Sequence, residues 1–200
     1  MRHLVIGTAA LALAACTNTT ATESDNVAAA GVALTDNGQV AGANARPALP
    51  TSGGATAQLR TADGKDVGTV TASADQRGTT FTVDARMMPV GVKGIHVHSV
   101  GKCEGPAFTS AGPHWNPTAM QHGKDNPAGP HRGDLPNLDI GQGGTGTVTF
   151  TVPGATIGGA DGLLDSDGAA FVVHAKADDY KTDPSGNSGD RIACGVFTGG

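Results

Sequence analysis

The sequence predicts an all-β domain, an antiparallel barrel or sandwich, and three observations carry that prediction. Runs rich in β-branched residues alternate apolar with polar positions, Gly, Pro, Asn and Asp separate those runs, and no window shows a helical apolar stripe. In chain order, ATAQLRT (55–61), an Asp63-Gly64 turn and DVGTVTAS (66–73) predict an opening hairpin. GTTFTVDA (78–85) follows, with Phe81, Val83 and Ala85 alternating against Thr and Asp. GVKGIHVHSV (91–100) reads as one further run. Between about Gly101 and Gly144 lies a long Gly- and Pro-rich segment with little strand pattern; a loop of that length in a compact domain signals function or an external clamp. GTGTVTFTV (144–152) places Val148, Phe150 and Val152 on one face, and AAFVVHAK (169–176) and the terminal RIACGVFT (191–198) complete the series.

The domain occupies only part of the chain. MRHLVIGTAALALAAC has a basic start at Arg2, an apolar stretch from Leu4 to Ala15, and small residues before Cys16. At roughly a dozen apolar residues it is too short for a stable membrane span and reads as a secretory signal over residues 1–15. Its ending, Leu13-Ala14-Ala15-Cys16, resembles a bacterial lipobox, in which the cysteine becomes the lipidated first residue; cleavage nearby with Cys16 incidental is the alternative. Residues 16–54 are then a lipidated cysteine and a flexible tether, because a stretch of Ala, Thr, Asn, Gly and Ser without an aromatic buries too little to offset its ordering entropy. The folded domain is expected over 55–200. With Cys16 on lipid, Cys103 and Cys194 are the single possible disulfide pair, which an oxidising compartment permits. These features predict an exported protein of the bacterial periplasm or cell envelope, membrane-anchored through its N-terminus.

Formal charge is 13 minus 18, or −5, and becomes −6 once Arg2 leaves with the signal. Nucleic-acid binders carry basic patches, so no nucleic-acid partner is expected.

Histidines supply the chemistry. Strand side chains alternate, so His96 and His98 share one face, about 6.8 Å apart at Cα, close enough for two imidazoles to converge on one ion. Without His3, six histidines remain: His96, His98, His114, His122, His131 and His174. Three lie in the long loop, in SAGPHWNP, MQHG and PHRGDLPN, and one in FVVHAK, with Asp134 three residues after His131. Imidazole suits zinc and copper, and a carboxylate beside several histidines suits zinc. A metal would also order a Gly-rich loop, since metal binding free energy becomes folding free energy.

GIHVHSVG, SAGPHWNP, HRGDLPN, VVHAKADD and GDRIACGV, in that order and spacing, resemble the signatures of the copper/zinc superoxide dismutases, over the chain from about Ala55 to its end. The resemblance implies an eight-stranded Greek-key antiparallel β-barrel or sandwich with long metal-binding and electrostatic loops. It implies dismutation of superoxide to dioxygen and hydrogen peroxide by copper cycling Cu(II)/Cu(I). Copper would be held by His96, His98, His114 and His174, and a structural zinc by the bridging His114 with His122, His131 and Asp134. It further implies Asp178 as the carboxylate linking His96 to His122, Arg191 as the arginine that attracts the anion, and Cys103 with Cys194 as the intrasubunit disulfide. His114, losing and regaining its copper bond, would carry a proton. The segment from Cys103 to His114 is longer than in eukaryotic enzymes, as in the bacterial branch, whose members include monomers and homodimers; both states are left open here.

Each residue also has a plainer reading. Asp178 is one of two adjacent acids, Arg191 stands at a strand start, Trp115 is expected as a wedge beneath the loop, and GQGGTG and GGADG read as turns. Lys176 and Lys181 compete with Asp179 and Asp183, which leaves the local field unsigned. Rival functions are a metal store with the same ligands, which requires neither Arg191 nor Asp178, and a zinc hydrolase, which requires an open zinc position.

Overall fold

A computed structural model describes residues 53–200; the expected signal over 1–15, Cys16 and the rest of the tether up to residue 52 lie outside the described residues. Nine strands follow: β1 (Gly54–Arg60), β2 (Asp66–Asp75), β3 (Gly78–Ala85), β4 (Gly91–Lys93), β5 (Ile95–His98), β6 (Leu138–Ile140), β7 (Gly146–Pro153), β8 (Ala170–His174) and β9 (Arg191–Gly199), with one 3₁₀ turn at Thr109–Ala111. β1 begins one residue before the expected boundary at Ala55.

A seven-stranded sheet runs in the order β5-β8-β9-β1-β2-β3-β7, and β4 pairs with β6 in a second sheet. Every pairing is antiparallel. The two edges of the large sheet are joined through the small one: β4 runs into β5, and β6 into β7 through a turn in which the Gly141 N–H donates to Thr145 O at 3.0 Å. This curls the sheet into a barrel. β3 pairs with β7 and not with the strand after it, so the connection to β4 crosses the barrel in Greek-key fashion.

Period-2 patterning places the core as expected. Ala55, Ala57 and Leu59 of β1 and Phe81, Val83 and Ala85 of β3 are buried, while Val148, Phe150 and Val152 of β7 are half-buried against them. Phe81 stacks on Phe150 with ring centroids 5.6 Å apart, and Phe197 meets the edges of Phe81 and Phe171. Trp115 joins this core, in line with the expected wedge. β8 is buried along its whole length because both faces are covered: Phe171 and Val173 enter the main core, Ala170 and Val172 a satellite cluster with Phe108, Ala111 and Cys194.

Two readings of the sequence need correction. GVKGIHVHSV is not one strand: the chain bends at Gly94, so β4 pairs with β6 and β5 with β8. Gly94 donates to Lys176 O and accepts from the His174 N–H, and a Cβ there would meet the Ser188 Cβ at 2.9 Å. Counting β4 and β5 as one bent strand gives the expected eight. The segment 101–144 also contains β6, whose buried-exposed-buried alternation over three residues is too short to register in a periodicity window.

Candidate metal centre

β5 and β8 are adjacent at one edge of the large sheet and carry His96, His98 and His174. The long loop returns over them: His98 bridges His114 and His96 bridges Asp134 in isolated antiparallel contacts. Trp115 fastens that return, donating its N–H to Val97 O and accepting from the Gly133 N–H, both at 2.8 Å. Five histidines and Asp134, spread along the run from His96 to His174, form two donor groups, and His131 packs against His114 and His122 with ring centroids 5.5 and 5.6 Å away, so all of them occupy one volume.

Hydrogen bonds fix which nitrogen of each ring is open. His98 donates from Nδ1 to Gly112 O at 2.8 Å and His174 from Nδ1 to Gly189 O at 3.0 Å; a carbonyl only accepts, so in both rings Nε2 carries the lone pair. His96 is the other way round, with Nε2 on Asp178 Oδ2 at 2.7 Å, which leaves Nδ1 open. His114 has Nδ1 on Asp134 Oδ1 at 2.8 Å. The remaining nitrogens, His96 Nδ1, His98 Nε2, His114 Nε2 and His174 Nε2, are buried with no hydrogen-bond partner. One donor atom from each of these four residues lies within 4.8 Å of all the others. Four buried lone pairs facing one another are costly unless a cation accepts them, and all-imidazole donors suit copper.

A second group gathers around Asp134. Its Oδ1 lies 2.8 Å from His114 Nδ1, 2.9 Å from His122 Nδ1 and 3.2 Å from His131 Nδ1. Despite its 2.9 Å approach, His122 Nδ1 is out of hydrogen-bonding alignment with this oxygen. Three imidazole nitrogens and one carboxylate make a zinc-type donor set. His131 stands at the rim, outside the tightest group of His96, His114, His122 and Asp134. His96 is close to both groups but has one open nitrogen to give, because Asp178 takes the other. His114 alone presents one nitrogen to each group.

Asp178, 3 % exposed, joins the halves: Oδ2 receives His96 and Oδ1 receives His122 Nε2 at 3.0 Å. Its own backbone is held from the opposite loop, since the Asn137 amide donates to Asp178 O and accepts from the Asp178 N–H, both at 2.9 Å. Tyr180 Oη accepts the Asn137 N–H, and Asp183 Oδ1 accepts the His122 N–H at 2.6 Å. Sequence reading missed Asn137 and Tyr180 and took Asp183 only as an acid in the local field, because their roles depend on loop-to-loop pairing that leaves no periodic trace.

Electrostatics follows burial. Desolvation lowers His96, His98 and His174 to about 3, 2 and 4, and lowers His114 as well, so these rings are neutral at physiological pH, the form that ligates. His122 is also desolvated, but the Asp134 and Asp178 carboxylates outweigh burial and raise it to about 9. Burial would raise both carboxylates, yet the surrounding histidines hold Asp134 and Asp178 well below the usual range.

A cleft of about 660 Å³ opens onto the first group, lined by His98, His114, His174, Asp183 and Arg191 among others. Arg191, half-buried at the start of β9, donates Nη1 to Phe108 O at 2.7 Å and Nη2 to Gly112 O at 2.8 Å. Cys103 and Cys194 form a disulfide with Cα atoms 5.7 Å apart.

The sequence model of the family described as Copper/zinc superoxide dismutase (SODC) matches residues 67–197. A superoxide dismutase-like protein of Bacillus subtilis is 42% identical over 146 residues, covering 71% of this chain and 74% of its own. A Cu-Zn superoxide dismutase of Caulobacter vibrioides is 40% identical over 147 residues, covering 72% and 84%. Among solved structures, a SOD-like protein from Bacillus subtilis matches with a TM-score of 0.67 at 41% identity, over 70% of this chain and 96% of that one. The Cu/Zn superoxide dismutase from Brucella abortus matches with a TM-score of 0.57 at 29% identity, over 72% and 98%. Fold, donor sets and relatives agree: the chain belongs to the copper/zinc superoxide dismutase family and is an oxidoreductase of that type, with copper and zinc as its metals.

Proposed function

We propose that this chain dismutes superoxide in a bacterial envelope, with copper on His96, His98, His114 and His174 and zinc on His114, His122, His131 and Asp134. The observation that carries the reading is His114, with Nδ1 on the Asp134 side and an unpartnered, buried Nε2 among the three other copper-type donors. Copper supplies reversible one-electron exchange, by which two superoxide anions and two protons become one dioxygen and one hydrogen peroxide, while redox-inert zinc holds its ligands in place.

The chain's own groups do the rest. Arg191 faces the cleft with a positive charge and no carboxylate among its hydrogen-bond partners, so it draws and orients the anion. Its local field can outweigh a distant acidic surface, since charges beyond about 8 Å are screened at physiological salt. His114 Nε2 alternates between lone pair and N–H, and in the N–H form delivers one of the two protons that the reduced anion requires. Asp178 holds the His96 and His122 rings in their tautomers throughout.

The N-terminal signal, with Cys16 as lipid acceptor, and a disulfide that an oxidising compartment preserves both support an exported, membrane-anchored enzyme. Metal analysis of the purified protein combined with a superoxide assay tests the reading. Copper and zinc bound together with dismutation are expected; both metals bound without dismutation would favour a metal store.

A further inference from the structure

The turn between Cys103 and His114 does more than span a gap. Phe108 sits in it with a left-handed backbone, φ 54 and ψ 26, a conformation bulky side chains avoid. Its ring is nevertheless 3 % exposed, packed in the satellite cluster with Ala111, Ala170, Val172 and Cys194, and Cys103 packs against the same cluster. The carbonyl of this residue accepts Nη1 of Arg191 at 2.7 Å, and four residues on, Gly112 O accepts Nη2 at 2.8 Å. Gly112 O also receives His98 Nδ1, so the turn's second carbonyl is tied to the metal group while the first depends on Phe108.

We propose that Phe108 is a positioning residue for Arg191: its buried ring anchors the turn, and its left-handed backbone aims the carbonyl that fixes the guanidinium over the cleft. The inference rests on the reading of Arg191 as the anion-attracting group. Arg191 has no carboxylate among its hydrogen-bond partners, so its place depends on these two carbonyls. An anion site held by carbonyls keeps its full charge for the substrate, but loosens once a carbonyl turns away.

The test uses copper- and zinc-loaded protein and two readouts besides activity. One is the dissociation constant of azide, a small anion, from optical titration; the other is the rate of phenylglyoxal modification of Arg191, followed in its peptide by mass spectrometry. Phe108→Ala is expected to weaken azide binding and to speed modification, each by about three-fold or more, as loss of one charge-assisted hydrogen bond would allow. Phe108→Leu, which keeps an apolar plug, is expected to restore both to within about two-fold. Phe108→Ile has the same side-chain volume as Phe108→Leu but, being β-branched, resists the left-handed backbone, so it is expected to behave as Phe108→Ala; a packing role alone predicts that it behaves as Phe108→Leu. Should Phe108→Ala lose its metals or disulfide, Phe108→Ile decides. Unchanged azide binding and modification in Phe108→Ile, with azide binding weakened in Arg191→Ala, would overturn the role of Phe108. Azide binding and dismutation both unchanged in Arg191→Ala would instead overturn the reading of Arg191.

Discussion

Gly186 lies directly against the Asp178 carboxylate, with no room for a Cβ between its backbone and Oδ1. Its φ of 61° also lies in the left-handed region. Asp178 can reach His96 and His122 together only because position 186 carries no side chain. Gly186→Ala is therefore expected to push the carboxylate off His122 and weaken zinc binding by about 10 to 100-fold, the usual effect of losing an outer partner of a metal ligand. Competition with a zinc chelator measures it, and unchanged zinc affinity would contradict the assigned role of Asp178.

His174 belongs to one group only. Its Nδ1 is bonded to Gly189 O and its Nε2 faces His96, His98 and His114. His174→Ala is expected to reduce dismutation to the uncatalysed background while zinc stays largely bound. Equal loss of both metals, measured by elemental analysis, would contradict the division of ligands.

Without metals, the buried rings make stability depend on pH. His96, His98 and His174 titrate near 3, 2 and 4 in the folded chain against 6.5 when unfolded, so between pH 6.5 and 4 the unfolded state binds more protons. Their contribution is present above pH 6.5 and lost on acidification. His122, raised to about 9, acts oppositely: its contribution is complete below 6.5 and lost as pH rises toward 9. Below pH 6.5 His122 is protonated in both states and does not oppose this, so the metal-free domain is expected to lose stability from pH 6.5 to 4. Urea midpoints across that range measure it; a midpoint that rises on acidification would contradict the assignment.

The Cys103–Cys194 disulfide closes a sequence separation of 91 residues and borders the satellite cluster that holds Phe108. In the chain-entropy picture such a loop is worth about 4 to 5 kcal/mol. The double variant Cys103→Ser with Cys194→Ser is expected to lose much of that in a guanidinium melt, and a change under about 1 kcal/mol would show that the unfolded chain is not the state the bond constrains.

If Cys16 is the lipid acceptor, cells given labelled palmitate are expected to label the parent chain and not Cys16→Ser. Equal labelling of both would remove the anchor at that residue.

The residues themselves determined the fold class and the identity of the donors. Alternation at Phe81, Val83 and Ala85 predicts a strand with one face in the core because a strand's side chains have a period of two. The same rule puts His96 and His98 on one face. What that rule cannot supply is the nitrogen each ring offers. His96 opens Nδ1 and His98 opens Nε2 because one meets the Asp178 carboxylate, 82 residues away, and the other the Gly112 carbonyl. Only tertiary structure sets such partners, just as it bends the chain at Gly94 against Ser188 and turns the Phe108 carbonyl onto Arg191. Backbone carbonyls and steric vacancies have no signature in a list of side chains, so a sequence names which groups can bind metal, and packing decides which atoms face it.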